Sequence, residues 1–502
     1  MHKYYFVSRR GAEAQRRLRE VGENLSLLVV RQGNFAGFMV RKPSSFLPLP
    51  PLLPPLPLLA FTDQNSVGRV LVPSPQSLIS ILLILLVAVL SLTGCQATPV
   101  TQEKVIHVTL WQGVNPPANR DVLLHLVDKF NQTHSDIQVD SLYVGQPDQQ
   151  MPKILAAVVG NAAPDLLWYN PTIAGQLVEL NALLPLDEML ETSAVKKEID
   201  PALFATMELN SKIWSVPFAT NNIGVFYRPS LFKEAGITKL PRTWEELRQV
   251  AQKLTVDKNG DGRIDQHGIF LPLGKGDFTV FIWLPFMWSA GGELVGGDSQ
   301  NAAAIDLTEN FGAIAGLQFW RDLITDGSAI LSSPERGYET DALLAGKVAM
   351  QFTGCWTLGQ FQAAGVDFGV FPMPIGERPA TGIGGENLFV FKTTPEHEKA
   401  AFKFIEYVLS EEFQTEWAIG TGYLPVNLQS RQSAKYQEFL KEQPVVKVFL
   451  DQAKYGRSRP IFAGYNRVSE NLGRALESVM LGKSSPQEAL KASQQRLDVI
   501  FK

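Results

Sequence analysis

The sequence predicts an α/β protein of two domains, and three observations carry that expectation. Short β-branched strands alternate with helical stripes from Ile106 onward. The chain turns more helical in its later part, where capping signals recur. About 400 residues lie beyond the strongly apolar run at Leu78 to Leu90, too many for one core.

Ile106 to Trp111 alternates in the manner of a strand. Asn119 to Phe130 places Val122, Leu123, Leu126, Val127 and Phe130 on one helical stripe. Ile137 to Val144 reads as a second strand, Lys153 to Val159 as a second helix and Asp165 to Tyr169 as a third strand. Strand–helix–strand alternation implies a mainly parallel sheet covered by helices. Thr243-Trp244-Glu245-Glu246 forms a capping box: the Thr243 hydroxyl can accept from the Glu246 amide while Glu246 reaches back. Ser485-Pro486-Gln487-Glu488 repeats the device for the last helix, with proline at its first position. No internal repeat is visible.

The apolar run Leu78 to Leu90 leads into Leu92-Thr93-Gly94-Cys95. It is too short for a ~20-residue membrane span and suits the core of a signal peptide. Residues 78–95 therefore read as a lipoprotein signal peptide and lipobox, with Cys95 taking a diacylglycerol and becoming the first mature residue. Residues 96–103 form a Thr/Pro/Gln tether. The mature chain is expected on the periplasmic or extracytoplasmic face, lipid-anchored to the membrane. Residues 1–77 fit this poorly: the first 45 are basic and aperiodic, and Pro48 to Leu58 can only be extended, polyproline-like chain. A true start near Val67 or Val70 would remove them; a cytoplasmic extension is the alternative.

The whole-chain charge of −4 conceals an asymmetry. Residues 1–95 hold 10 Lys/Arg and 4 Asp/Glu, which leaves 36 basic and 46 acidic residues in the mature part. That acidic balance argues against nucleic acid as a partner. Cys355 is the one cysteine besides Cys95, so stability must come from packing rather than a disulfide. Its apolar surroundings read as a buried small residue. The histidines His107, His125, His134, His267 and His397 are scattered, which gives zinc chemistry no support. No G-x-S-x-G elbow occurs. Gly482-Lys483-Ser484 lacks the upstream glycine of a phosphate loop, and Gly382-x-Gly384 lacks the third glycine of a dinucleotide fingerprint.

Several stretches, in order, resemble a known family. They are Ala163-Pro164-Asp165, Lys212 to Phe218, Tyr227 through Gly236, Thr243 to Leu247, Ala345 to Met350, Gly354-Cys355-Trp356 and Thr421 to Val426. Together they resemble the extracellular solute-binding proteins of ABC importers, the group that includes maltose- and glycerol-phosphate-binding proteins. The similarity spans about 104–500; Cys355 departs from the proline the family often has before Trp. The resemblance implies a type II periplasmic binding protein fold, two α/β lobes joined by hinge crossings. One lobe would be 104–219 with 371–421, the other 222–369 with 427–502. The crossings would fall near Ala219–Asn221, Phe368–Phe371 and Tyr423–Val426. A ligand would sit between the lobes and favour their closed arrangement.

A sugar needs aromatic faces for its CH surfaces and amides or carboxylates for its hydroxyl rim. On that logic and the resemblance, the ligand-binding candidates are Trp356, Tyr169, Asn170, Asn221, Gly385, Glu386, Asn387, Trp283, Trp288, Gln112, Asn115 and Tyr423. Each has a plainer reading as core, turn or cap. Trp111, Trp214, Trp244, Trp320 and Trp417 read as packing residues.

Asp257 to Asp265 carries oxygen donors in the spacing of an EF-hand loop, at Asp257, Asn259, Asp261 and Asp265, with Gly262 at the turn and Arg263 at the backbone-ligand position. Gly268 stands where the bidentate Glu belongs, so a full EF-hand is excluded. A structural Ca²⁺ loop and a simple Asp/Gly turn both remain open. No cofactor is otherwise required.

The expected function is therefore that of a non-enzymatic, monomeric, lipid-anchored binding subunit of an ABC importer. It would capture a sugar or oligosaccharide and pass it to permease subunits driven by a separate ATPase. A glycerol-phosphate ligand is the alternative, with Arg457 and Arg459 as the nearest clamp. A surface carbohydrate-active enzyme is the rival from another class.

Overall fold

Apolar alternation beginning at Ile106 buries Val108 and Leu110 completely and starts a parallel sheet. The computed structural model describes residues 105–274, 276–295, 305–332 and 340–501. The expected signal peptide and lipobox with Cys95, the expected tether and residues 1–77 lie outside them. Among the described residues no helix is long and apolar enough to cross a membrane.

The strands run β1 Ile106–Gln112, β2 Ile137–Tyr143, β3 Leu166–Tyr169, β4 Glu208–Leu209, β5 Lys212–Ile213, β6 Val216–Pro217, β7 Asn221–Tyr227, β8 His267–Leu271, β9 Ala329–Leu331, β10 Val348–Gly354, β11 Gly369–Phe371, β12 Thr381–Gly384, β13 Asn387–Val390 and β14 Gly456–Ser458. Two sheets organise them. The first has the order β2-β1-β3-β13-β6, with β1 parallel to β2 and β3, and β13 antiparallel to both neighbours. The second has the order β14-β12-β7-β10-β8-β9, with β11 also on β7. Each sheet has its own apolar core: Leu110, Leu166, Phe218 and Trp417 belong to the first, and Val225, Ile269, Trp283 and Trp320 to the second.

The crossover helices Pro117–Thr133 and Pro147–Val159 arise as the stripes predict. The second begins before Lys153, because Gln146 and Gln149 cap it reciprocally and Pro147 opens it. Thr243 Oγ1 accepts from the Glu246 amide at 3.2 Å, and Ser485 and Glu488 close the later box at 3.3 and 2.9 Å. Trp320 and Trp417 are core residues, while Trp111, Trp214 and Trp244 pack against core clusters from partly buried positions.

The chain passes from the first sheet to the second between β6 and β7, and returns between β12 and β13. The expected return at Phe368–Phe371 is corrected: β11 and β12 share one edge of β7, Phe371 opposite Val225 and Ile383 opposite Asn222. The passage is therefore Gly385-Glu386. It lies against the first one, where the Phe218 and Ala219 amides both donate to the Glu386 carbonyl, at 2.8 and 3.4 Å. A third strap joins them: Thr220 and Leu424 exchange backbone hydrogen bonds of 3.2 and 2.9 Å.

Glycine is required in this strap. Gly385 has φ +121°, and a Cβ there would come within 2.1 Å of the Ala219 carbonyl oxygen. Gly385→Ala should lower stability by about 2–4 kcal/mol, through strain and a backbone clash that no rotamer relieves. Chemical denaturation measures it; an unchanged midpoint would contradict this account of the strap.

Candidate functional site

The C-terminal ends of parallel strands leave open loops, and these form one wall of a cleft. Gly113 and Asn115 follow β1, Gln146 and Pro147 follow β2, and Asn170 follows β3. The opposite wall comes from the second sheet: Asp277 and Phe281 on the helix Asp277–Ser289, Thr353 at the end of β10, Trp356, and Arg459 beyond β14. The floor is the strap itself, with Asn221, Gly385, Glu386 and Tyr423. The cleft has about 190 Å³ of interior room, and about 1130 Å³ when its open mouth is counted.

Trp356 is held from both sides. It packs partly against the cores of both sheets. Its carbonyl accepts from Asn119 Nδ2 at 3.0 Å, a bond between a helix of the first sheet and the turn after β10. Its indole lies back over Gly354, where a Cβ would meet the ring at 1.8 Å. The ring centroid is 6.4 Å from that of Phe281. Two aromatic side chains thus lie near each other on one wall.

The polar groups are arranged differently. Asn221 is buried by the strap, and its Oδ1 accepts no hydrogen bond from the protein. Glu386 is partly buried, and its shielded Oε2 is also without a donor. Burial pushes the Glu386 carboxyl up to about 7, although Arg459 and the Tyr423 hydroxyl both favour its ionised form. Arg459 is itself deeply buried. Desolvation opposes its charge, but Asp277, followed by neighbours that include Glu386, outweighs it and holds the pKa above its ordinary value. Arg459 pairs with Asp277 and stacks over Phe281 at 4.5 Å from the centroid. Unsatisfied buried acceptors destabilise a folded chain by about 1–3 kcal/mol each, so they mark where a donor is expected to come from outside.

The structure brings Trp356, Asn115, Asn170, Asn221, Gly385, Glu386 and Tyr423 together on the cleft. Five other candidates are corrected. Tyr169 sits in a small core cluster and its hydroxyl donates to the Pro147 carbonyl at 2.9 Å. Asn387 is buried and donates to Thr206 O and Ser215 Oγ, at 3.0 and 2.8 Å. Gln112 turns back to accept from the Val114 amide at 2.8 Å. Trp283 and Trp288 are core, because the helix Asp277–Ser289 is buried on nearly all sides. Its cleft face carries Asp277 and Phe281, one turn apart. That i, i+4 spacing was a readable signal for these two, which the candidates from the sequence lack.

Arg457 is held by Glu293 at 2.5–2.6 Å, away from the cleft lining, whereas Arg459 is in it. Cys355 is fully buried and its thiol is pushed up to about 12 by desolvation, which leaves it inert at neutral pH. The Asp257–Asp265 loop is an exposed turn whose oxygens serve its own amides: Asp257 accepts from Gly260 and Gly262 at 2.7 and 2.8 Å, Asn259 from Asp261 at 2.8 Å, Asp261 from Arg263 at 2.8 Å and Asp265 from Lys258 at 2.8 Å. Among the described residues no three His, Cys, Asp or Glu side chains gather as a metal site.

The raised pKa of Glu386 sets a pH dependence. Its folded value lies above the ordinary 4.5, so the folded chain holds this proton more tightly than the unfolded chain. The contribution of Glu386 to stability is then greatest below about pH 4.5 and is lost as pH rises through about 7. Glu386→Gln should remove that slope and stabilise the ligand-free protein at about pH 8 by on the order of 1–2 kcal/mol. Denaturation curves across pH test this; an equal slope in both proteins would contradict the burial of this carboxylate.

Comparison with known proteins adds independent findings. A family profile described as bacterial extracellular solute-binding protein matches residues 125–441. The maltotriose-binding protein of Pyrococcus abyssi is 25% identical over 334 residues, 64% of this chain and 66% of its own. The sn-glycerol-3-phosphate-binding periplasmic protein of Brucella melitensis is 24% identical over 426 residues, 81% of this chain and 96% of its own. The crystal structure of the cyclic alpha-maltosyl-1,6-maltose binding protein from Arthrobacter globiformis superposes with a TM-score of 0.66 at 26% identity, covering 79% of this chain and 99% of that one.

Proposed function

The chain belongs to the bacterial extracellular solute-binding proteins, and we propose that it captures a neutral sugar or oligosaccharide for an ABC importer. The family consists of binding proteins that work outside the cytoplasm, and this chain is not an enzyme.

One observation carries the sugar reading. The cleft joins an aromatic side chain, Trp356, to two acceptors without protein donors, Asn221 Oδ1 and Glu386 Oε2. Saccharides offer both complements: apolar CH faces that stack on rings, and hydroxyls that donate. Gln360, Asn115 and Asn170 add polar rim groups. The saccharide-binding relatives support this choice, each being named for a maltose-derived ligand.

The mode of capture stems from the architecture. The two walls belong to different sheets, joined by the three-strand strap. A ligand that touches both walls stabilises their approach by its differential contacts. The closed form would then dock on permease subunits powered by a separate ATPase. The lipid anchor at Cys95 would hold the protein beside them; mass spectrometry of the mature N-terminus tests that anchor.

Binding should quench tryptophan fluorescence and raise the melting temperature. Trp356→Ala should weaken saccharide affinity by about 2 kcal/mol or more, as loss of an aromatic anchor does. Titration calorimetry measures it. Silence of the wild-type protein across a broad mono- and oligosaccharide panel would overturn the sugar reading.

A further inference from the structure

We propose that Asp277 sets the charge preference of the cleft, committing Arg459 to neutral hydroxyls and closing the site to phosphate esters. This rests on the sugar reading above and names what enforces it.

Among the described residues, the charged ones lining the cleft are Asp277, Glu386 and Arg459. A lone arginine in such a lining would favour a phosphate, whose oxygens match the guanidinium fork. Here one arm of the fork is already engaged by a carboxylate. Asp277 Oδ2 pairs with Arg459 Nη1, and Asp277 Oδ1 is fixed by the Ser469 hydroxyl at 2.7 Å. The face of the guanidinium lies on the Phe281 ring. Arg459 has only 8% of its side chain exposed and Asp277 18%, so the pair is poorly screened by solvent.

A phosphate entering this space would meet a guanidinium whose charge Asp277 compensates, with a further carboxyl group, Glu386, in the same lining. A sugar hydroxyl meets no such repulsion. A hydroxyl accepts from a guanidinium and donates to a carboxyl or amide oxygen, and Arg459, Glu386 and Asn221 all line this cleft. Discrimination then comes from a repulsive element built beside an attractive one. Relatives in this family include proteins named for maltotriose and for sn-glycerol-3-phosphate, so both ligand classes belong in the test.

The test measures binding of glycerol 3-phosphate, glucose 1-phosphate and maltotriose by calorimetry to the full chain and to Asp277→Asn, Asp277→Glu and Asp277→Asn with Arg459→Gln. Asn keeps an oxygen for Ser469 but removes the charge. Asp277→Asn is expected to tighten phosphate-ester binding about tenfold or more relative to maltotriose, a scale set by one unmasked charge-assisted contact. Asp277→Glu should retain the wild-type preference, and the double variant should lose the gain. Asp277→Ser repeats the charge removal if Asn lowers the melting temperature. No gain in ester affinity by a folded charge-removing variant would overturn the proposal, as would a gain that persists without Arg459. Tighter binding of the esters than of maltotriose by the wild-type protein would instead overturn the sugar reading, a separate result read on a separate protein.

Discussion

The structure depends on the strap where three chain segments cross between two sheets and bond to one another. Phe218, Ala219 and Thr220 form its middle strand, hydrogen-bonded to Glu386 on one side and to Leu424 on the other. Backbone pairing satisfies donors and acceptors that would otherwise be stranded between two cores. The same pairing dictates the site. Asn221, Glu386 and Tyr423 belong to, or adjoin, different segments of the strap, and they reach the cleft floor together because the segments are in register. Close approach then requires Gly385, whose missing side chain admits the Ala219 carbonyl.

The walls are less constrained than the floor. They come from loops at strand ends and from a helix face, which can vary in sequence without disturbing either core. Trp356 is the exception, since it packs against both cores and is tied to Asn119 by its carbonyl. It is therefore positioned to report on the relation between the sheets as well as to contact a ligand. Arg459 and Asp277 show the opposite economy: two buried charges compensate each other, and the floor carboxylate Glu386 is left as an acceptor that the protein does not fully satisfy.

Much of this was legible in the residues. β1 was visible from alternation, and β2 and β3 from their places between and after helices with clear apolar stripes. Trp356, Asn221 and Glu386 were found through resemblance, since nothing local distinguishes them. Tyr169 and Asn387 misled for a physical reason. They sit beside cleft residues in sequence, but successive strand positions face opposite sides of a sheet. The return passage was misplaced because β11 reads as a short strand, and only pairing shows that it shares an edge of β7 with β12. Asp277 and Phe281 were hidden among aromatic residues that are buried all round, where composition says nothing about which face meets a cleft.

A crystal structure with a bound saccharide tests the central claim most directly. The account predicts a sugar ring against the Trp356 indole, with hydroxyls donating to Asn221 Oδ1 and Glu386 Oε2, and with the Asp277–Arg459 pair intact. A ligand bound away from the strap, or an anionic group seated on Arg459 with Asp277 displaced, would contradict it.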